Sequence, residues 1–212
     1  MEDDMRFSFT AIAAALILAG CGSNPTVSEN QCIASDWQTL GLRDAANGFR
    51  STQLLEHQNA CVKYGIIPNR DTYMAGWQEG VREFCQPHNA YSIGVSGRGH
   101  NNICPADLQP IFLAAYHNGR ELHAARANVD RLARLIESQR NRLETIRLEL
   151  VASATNQLDS DLTAAQRIQL LAQTDLLNND RKRIKRELPR LLAALTVKEE
   201  YLRRVENSLA TR

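Results

Sequence analysis

Apolar residues recur in heptads through the C-terminal half of the chain. One series has a member every seven residues, with further apolar residues three positions later: Leu122, Ala125, Val129, Leu132, Ile136, Leu143, Ile146 and Leu150. A second series follows: Leu170, Leu177, Ile184, Leu188, Leu191, Leu195, Leu202, Val205 and Leu209. Apolar residues at the a and d positions of a heptad are typical of helices that pair along a seam. The pattern therefore predicts two long helices.

The stretch between the two series is polar and predicts a turn. Residues 153–162 are rich in Ser, Thr, Asn and Asp, and Thr163 and Gln166 have the spacing of a capping box. A turn at this point folds the two helices into an antiparallel hairpin. Pairing of the same helices with a second copy of the chain is the alternative, so an oligomer could form through the hairpin.

Shorter helices are predicted upstream, in residues 32–119. Gly65 ends one helix, and Asp71 begins the next. Residues 86–103 are predicted to be irregular because several glycines crowd into them. A proline opens a final helix over residues 106–117. The predicted fold class is mainly α, with a small disulfide-stapled helical head followed by a long, coiled-coil-like antiparallel hairpin.

The composition changes sharply at about residue 120. Residues 22–119 hold ten of the eleven glycines, with six basic and eight acidic residues, whereas residues 120–212 have no glycine, 18 basic and 13 acidic residues. We therefore predict a head domain over 32–119 and a hairpin over 120–212. The five basic residues within 181–186 are expected to form a solvated helix face, with contact to anionic phosphate groups as the alternative. The net charge of the whole chain is +1, which does not favour a nucleic-acid partner.

The N-terminus carries one apolar run, at Phe7–Leu18. Its twelve residues are too few to span a bilayer and suit the apolar part of a signal peptide. The run ends in Leu18-Ala19-Gly20-Cys21, which resembles the lipobox of bacterial lipoproteins. The resemblance implies a signal peptide over residues 1–20, cleavage before Cys21, and lipidation of that cysteine by a diacylglyceryl thioether and an N-linked acyl group such as palmitate. Acidic residues precede the run, so Met5 is an alternative start.

The residues after Cys21 indicate where such a lipoprotein would reside. Two acyl chains anchor a protein stably, whereas one alone is marginal. Gly22 follows the cysteine, and by resemblance to enterobacterial lipoprotein sorting this favours the outer membrane. Residues 21–31 are polar and predict a short tether that keeps the head near its membrane. We expect a lipid-anchored protein of the outer membrane, on its periplasmic face.

Four cysteines remain after Cys21: Cys32, Cys61, Cys85 and Cys104. An even number in an exported chain predicts two disulfides, with three connectivities open. We favour the sequential pairing of Cys32 with Cys61 and of Cys85 with Cys104. The alternative is a zinc site from His57-x-x-x-Cys61 and His100-x-x-x-Cys104, whose spacing places two ligands on one helical face. An oxidising periplasm favours disulfides, so no metal or other cofactor is expected.

An aromatic residue followed by glycines recurs through the head. The motifs are Trp37-x-x-x-Gly41, Tyr73-x-x-Gly76-x-x-x-Gly80, Tyr91-x-x-Gly94-x-x-Gly97 and Tyr116-x-x-Gly119. Glycines four residues apart share a helix face and let another backbone approach, so packing is the simplest interpretation and a ligand groove the alternative. With Phe84-Cys85 and Cys104-Pro105 in order between them, the series resembles the domain-of-unknown-function family numbered twenty-seven ninety-nine, found in proteobacterial lipoproteins. The resemblance covers about residues 32–122 and implies an exported, cysteine-stapled domain with no assigned activity.

No constellation of residues predicts a particular reaction, and an enzyme is not the favoured interpretation. The first hypothesis is a non-catalytic structural or adaptor protein of the cell envelope, whose hairpin contacts a protein or the cell wall. The second is a binding module in which Tyr91, Arg98 and His100 bind an envelope glycan, such as peptidoglycan, or a peptide. The third is a periplasmic hydrolase that uses His57 or His100 with a nearby carboxylate.

Overall fold

The computed structural model describes residues 26–210, which form seven α-helices and a short 3-10 helix at Val62–Tyr64. In chain order the α-helices are α1 (Glu29–Ala34), α2 (Trp37–Ala46), α3 (Gln53–Cys61), α4 (Arg70–Phe84), α5 (Pro87–Val95), α6 (Gln109–Gln157) and α7 (Ala164–Ala210). No strand occurs among these residues. The predicted fold class, a helical head followed by a long hairpin, is confirmed.

Glycines bring α2 and α4 of the head into backbone contact. A Cβ atom added at Gly76 of α4 would overlap the carbonyl oxygen of Gln38 on α2, and Gly80 makes a similar contact. In the other direction, a Cβ atom at Gly41 of α2 would overlap the carbonyl oxygen of Tyr73 on α4. Only a residue without a Cβ atom allows two helix backbones to approach this closely. The glycines of these motifs therefore serve packing.

The same kind of contact joins α5 to α6 and corrects the prediction that residues 86–103 are irregular. The first half of that stretch is the helix α5. Gly94 lies against the carbonyl oxygen of Tyr116 on α6, and Gly119 lies against the carbonyl oxygen of Tyr91 on α5. A glycine that looked like a helix breaker is instead required where two helices touch, because tertiary packing overrides its weak helix propensity.

The core of the head consists of two clusters of buried side chains. The first cluster contains Val27, Cys32, Trp37, Leu40, Leu54, Cys61 and Tyr73, and the second contains Ala45, Val81, Phe84, Cys85, Ala90, Ile93 and Phe112. The N-terminal halves of α2 and α4 contribute to the first cluster and their C-terminal halves to the second. Tyr73 and Phe84 lie about 16 Å apart along α4, so the two clusters are stacked end to end.

One disulfide secures each cluster. Cys32 is bonded to Cys61 in the first cluster, and Cys85 is bonded to Cys104 at the second, with Cα separations of 5.6 and 5.7 Å. This is the sequential pairing that we favoured. All four sulfur atoms are used in these bonds, which leaves no thiolate for the alternative zinc site. Within residues 26–210, no three potential ligands come together as a metal site would need.

The two long helices form the predicted hairpin. α6 has 49 residues and α7 has 47, so each is about 70 Å long. Ile146, Leu177 and Ile184 are buried together between them, on the predicted seams. Thr163 and Gln166 form the predicted capping box, in which each backbone N–H donates to the side-chain oxygen of the other residue. The hairpin therefore follows from its heptads and its cap.

The head and the hairpin share one helix. α6 passes without a break through the boundary predicted between residues 119 and 120. Its first turns place Phe112 in the second cluster, and its later turns pair with α7. No linker separates the two parts, so the direction of the hairpin is set by the packing of the head.

The described part of the predicted tether at 21–31 is folded onto the head. Val27 is 3% exposed and belongs to the first cluster, and α1 begins at Glu29. The predicted signal peptide and the predicted lipidation site Cys21 lie outside the described residues. Within residues 26–210, no helix has both the length and the apolar character needed to cross a membrane.

The glycine contacts give a first prediction. Gly76→Ala should lower the free energy of unfolding by about 3 kcal/mol, because the added methyl meets backbone that cannot rotate away. Gly99→Ala adds the same methyl where no atom lies within 4 Å, and we expect a change below about 0.5 kcal/mol. Urea unfolding followed by circular dichroism measures both variants. Equal losses of stability in the two variants would contradict the packing role.

Candidate functional site

A chain of hydrogen bonds crosses the first cluster of the head. Thr26 Oγ1 lies 2.9 Å from His57 Nδ1, and His57 Nε2 lies 2.5 Å from Asp44 Oδ2. The hydroxyl of Tyr73 donates to the same carboxylate oxygen at 2.9 Å. His57, Asp44 and Tyr73 are buried, whereas Thr26 is exposed. The network thus connects Thr26, which precedes α1, to His57 of α3.

The burial of this network argues for a structural role. His57 is 2% exposed and Asp44 is 5% exposed, so a substrate has no access to either side chain. The carboxylate that the hydrolase hypothesis requires beside His57 is present, but the pair is closed to solvent. Buried ionisable groups are stable only when each is hydrogen-bonded, as these are.

Tyr73 completes the network as a neutral donor. Burial, and then the neighbouring Asp44 carboxylate, raise the pKa of Tyr73 far above its ordinary value of 10.0. Both causes favour the protonated phenol, since a phenolate would be desolvated and repelled by the carboxylate. The sequence alone pointed to His57 but gave no signal that Tyr73 and Thr26 belong to its network, because 13 to 31 positions separate the residues of each contact.

The structure separates the three residues predicted to bind a ligand. Arg98 and His100 follow α5 and line one small cleft. Tyr91 lies on α5 itself and lines a different groove, beside the C-terminal end of α7. The structure therefore brings Arg98 and His100 together but leaves Tyr91 apart from them.

The cleft beside Arg98 and His100 is small and tightly packed. Its volume is about 80 Å³, well below the roughly 300 Å³ at which small-ligand pockets begin. The His100 ring packs edge-on against Phe112 and Tyr116, with centroid distances of 5.2 and 4.5 Å, and the Tyr116 hydroxyl donates to the carbonyl oxygen of Arg98. Burial, and then nearby His117, lower the pKa of His100. These contacts hold the loop in place and leave little room for a ligand.

The groove beside Tyr91 is larger. It has a volume of about 630 Å³ and is lined mainly by apolar atoms. Tyr91 and His88 of α5 lie on one wall and Leu209 of α7 on another. Arg126 and Glu206 also line the groove and pair with each other at 3.0 Å. This volume is typical of a small-ligand pocket, so Tyr91 keeps its place in the binding hypothesis.

The basic run of α7 forms an exposed helix face at mid-length of the hairpin. Four of its cationic residues are exposed: Lys182, Arg183, Lys185 and Arg186. Ile184 between them is buried in the seam. Arg183 pairs with Asp180 and Glu187 on its own helix. This agrees with the expected solvated face, since i,i+3 and i,i+4 ion pairs of this kind are common on exposed helices.

The free end of the hairpin has the opposite character. We call residues 148–176 the tip. The tip contains one basic and four acidic residues. Six of its apolar side chains are more than half exposed: Leu148, Val151, Leu158, Ile168, Leu171 and Leu176. Exposed apolar residues that cluster in this way mark interaction surfaces, whereas single ones are ordinary.

Part of this apolar surface lies on one side of the hairpin. Close to the head, the Arg126–Glu206 ion pair bridges α6 and α7 on this same side. Ala154 lies four heptads after Arg126, and Leu171 lies five heptads before Glu206, so both occupy the same side. Residues three or four positions away extend the set along each helix. We call the resulting set the apolar strip: Val151, Ala154, Leu158, Ile168 and Leu171.

Between its two helices, the tip contains a polar contact in the seam. Ser153 Oγ and Thr174 Oγ1 lie 2.7 Å apart in the seam, and Gln157 donates to the same threonine. A pair of hydroxyl groups thus occupies one layer of the seam, while several large apolar side chains of the tip lie outside it. The a and d positions alone do not predict this surface. Apolar residues at the outer positions of the same heptads were the available signal.

Comparison with known proteins agrees with the family predicted for the head. Residues 36–121 match the model of a family described as protein of unknown function (DUF2799). This confirms the predicted family for the head. The DUF2799 match begins at Asp36, the N-cap of α2, and ends two residues after Gly119. It therefore contains both glycine-packed helix pairs and leaves out most of the hairpin.

A similar protein occurs in Escherichia coli (strain K12). The uncharacterized protein YfiL is 26% identical over 102 residues, which is 47% of this chain and 78% of YfiL. No solved structure matches the chain significantly. Neither description assigns an activity.

The Tyr73 contact gives a second prediction. Tyr73→Phe should lower the free energy of unfolding near neutral pH by about 1–2 kcal/mol, because Asp44 loses a buried donor. The folded pKa of Tyr73 lies above its unfolded value of 10.0, so this stabilisation is complete below pH 10 and is lost as the pH rises further. The difference between parent and variant should therefore shrink towards about pH 11. Urea unfolding across this range measures it.

Tyr64→Phe is the matched control, because Tyr64 is only partly buried and lies in the 3-10 helix at the edge of the first cluster. It should leave both the stability and its pH dependence nearly unchanged. A Tyr73→Phe difference that stays constant to alkaline pH would contradict a buried neutral phenol at this position.

Proposed function

We propose that this chain is an outer-membrane lipoprotein that acts without catalysis, as an adaptor whose hairpin tip binds another envelope protein. The apolar strip of the tip carries the proposal. It is exposed at the far end of a hairpin about 70 Å long. The seam buries its own apolar residues within the chain, so the fold of the hairpin does not require the strip.

The chemistry of the tip favours a protein over a lipid bilayer as its partner. Helices that lie in a membrane surface usually carry Lys and Arg on their polar face and Trp or Phe on their apolar face. The tip has Arg167 as its one basic residue and contains no aromatic residue. Its carboxylates would be costly to bring into lipid. We expect a helical partner surface that is apolar at its centre and basic at its edge, complementary to Asp159, Asp161 and Asp175.

The predicted lipid anchor would determine where the tip lies relative to the membrane. Cys21 precedes the first cluster of the head in the chain, whereas the hairpin leaves from the second cluster. The two clusters are joined by glycine-packed helices and secured by disulfides, so the head is a firm base for α6. A chain anchored at Cys21 would hold the tip away from its membrane and present the strip to proteins in the periplasm.

Photo-crosslinking in living cells tests the adaptor function. A photoreactive residue placed at Leu158 or Ile168 should capture one dominant protein, identified by mass spectrometry. Gln173 is the matched control, because it is exposed in the tip but lies one heptad before Asp180, on the side where Asp180 faces Arg142. Leu171→Asp places a charge in the strip and should abolish the capture, whereas Gln173→Asp should leave it intact.

Other outcomes would redirect the proposal. Capture of a second copy of this chain would indicate a self-assembling envelope protein. Equal capture from the strip and from Gln173, or none at either position, would contradict the adaptor function. The groove beside Tyr91 would then be the better candidate, and retention on isolated peptidoglycan that is lost in Tyr91→Ala would support a glycan- or peptide-binding module.

The lipid anchor is tested separately. Cys21→Ser removes the thiol to which the lipid would be attached. The parent chain should be recovered with the outer membrane and incorporate an alkyne-labelled palmitate, and the variant should do neither. Ser23→Ala, two residues further on, should behave like the parent. If Cys21→Ser were recovered with the outer membrane at the level of the parent, this would contradict the proposed lipid anchor.

A further inference from the structure

The first cluster of the head exposes apolar side chains close to its disulfide. Ile33, Val62 and Ile67 are 60%, 63% and 79% exposed. Ile33 and Val62 each follow one cysteine of the Cys32–Cys61 bond, whose Cα atoms lie 5.6 Å apart. Their own Cα atoms therefore lie within about 13 Å of each other. The disulfide thus brings two exposed aliphatic residues from distant parts of the sequence near each other.

The loop that contains Val62 and Ile67 has a mixed chemistry. A 3-10 turn is followed by Gly65 in the left-handed conformation, at φ 72°. The Lys63 ammonium lies 4.8 Å from the ring centroid of Tyr64. Exposed aliphatic residues beside a tyrosine and a lysine are typical of surfaces at the boundary between water and lipid, where Lys and Tyr keep a polar end in water.

The N-terminal connection of the chain reaches the head beside this loop. Thr26 is hydrogen-bonded to His57, which lies four residues before Cys61 on α3, about 6 Å along the helix. Four residues separate Thr26 from Cys21. Even fully extended, the connection covers at most about 18 Å. A lipid anchor at Cys21 would therefore keep this end of the head close to the bilayer.

We propose that this region rests on the bilayer that holds the anchor, and we call it the membrane face: Ile33, Val62, Lys63, Tyr64 and Ile67. The inference rests on the lipid anchoring in the proposed function and goes beyond it. An acyl anchor alone leaves a head free to rotate about its tether. A second contact through the membrane face fixes its orientation, with the second cluster and the hairpin directed away from the lipid.

Photo-crosslinking to lipid tests the membrane face. The acylated full-length chain is reconstituted in vesicles of phosphatidylethanolamine and phosphatidylglycerol, with a diazirine amino acid at position 62 or 67. Ile111 is the matched control, because it is 56% exposed but lies at the start of α6, beside the second cluster. Phospholipid adducts are expected at positions 62 and 67, and no phospholipid adduct is expected at position 111.

The other outcomes overturn the inference and show which step failed. Equal lipid adducts at positions 67 and 111 would show a head that rotates freely on its anchor. A chain that floats with the vesicles but gives no lipid adduct at positions 62 and 67, or gives a dimer of this chain there, would refute the membrane face and leave the anchor intact. A parent chain that is not acylated and does not float would remove both the anchor and the inference.

Discussion

The backbone contact between glycine-paired helices is the interaction on which the rest of the structure depends. Gly41 and Gly76 allow α2 and α4 to touch, and Gly94 and Gly119 do the same for α5 and α6. In a head this small, helices kept apart by side chains would bury less surface for each residue. The close approach of α5 to α6 also sets the position of the first turns of α6, and so the direction of the whole hairpin.

The two stacked clusters of the head contact different parts of the chain. The first receives the N-terminal connection through Val27 and the Thr26–His57 contact, and it carries the exposed loop after α3. The second holds the base of α6. Each disulfide closes a loop of fewer than 30 residues, which restricts the unfolded chain and holds each end of the head together. The N-terminal connection and the base of the hairpin thus lie at opposite ends of one small domain.

Apolar residues occupy different heptad positions in the middle of the hairpin and in the tip. Near Ile184 the apolar residues face the seam and hold the helices together. In the tip, a hydroxyl pair occupies the seam at Ser153 and Thr174, and apolar residues occupy outer positions such as Leu171. A hairpin that only needed to be stable would carry polar residues at these outer positions, because the seam between two helices cannot cover them. Their exposure, together with the scarcity of basic residues, distinguishes the tip from the solvated middle of the hairpin.

The sequence alone determined what depends on local or periodic signals. The heptads specified two helices, Thr163 and Gln166 specified where the second one begins, and the number of cysteines specified two disulfides. Tertiary structure decided whatever depends on distant residues meeting. It placed Gly94 in a helix, because another helix packs against it, and it brought His57 to Tyr73 and Asp44. It also separated Tyr91 from His100 and showed which tip residues remain exposed. Periodicity shows which faces a helix has, but only packing determines which of those faces are covered.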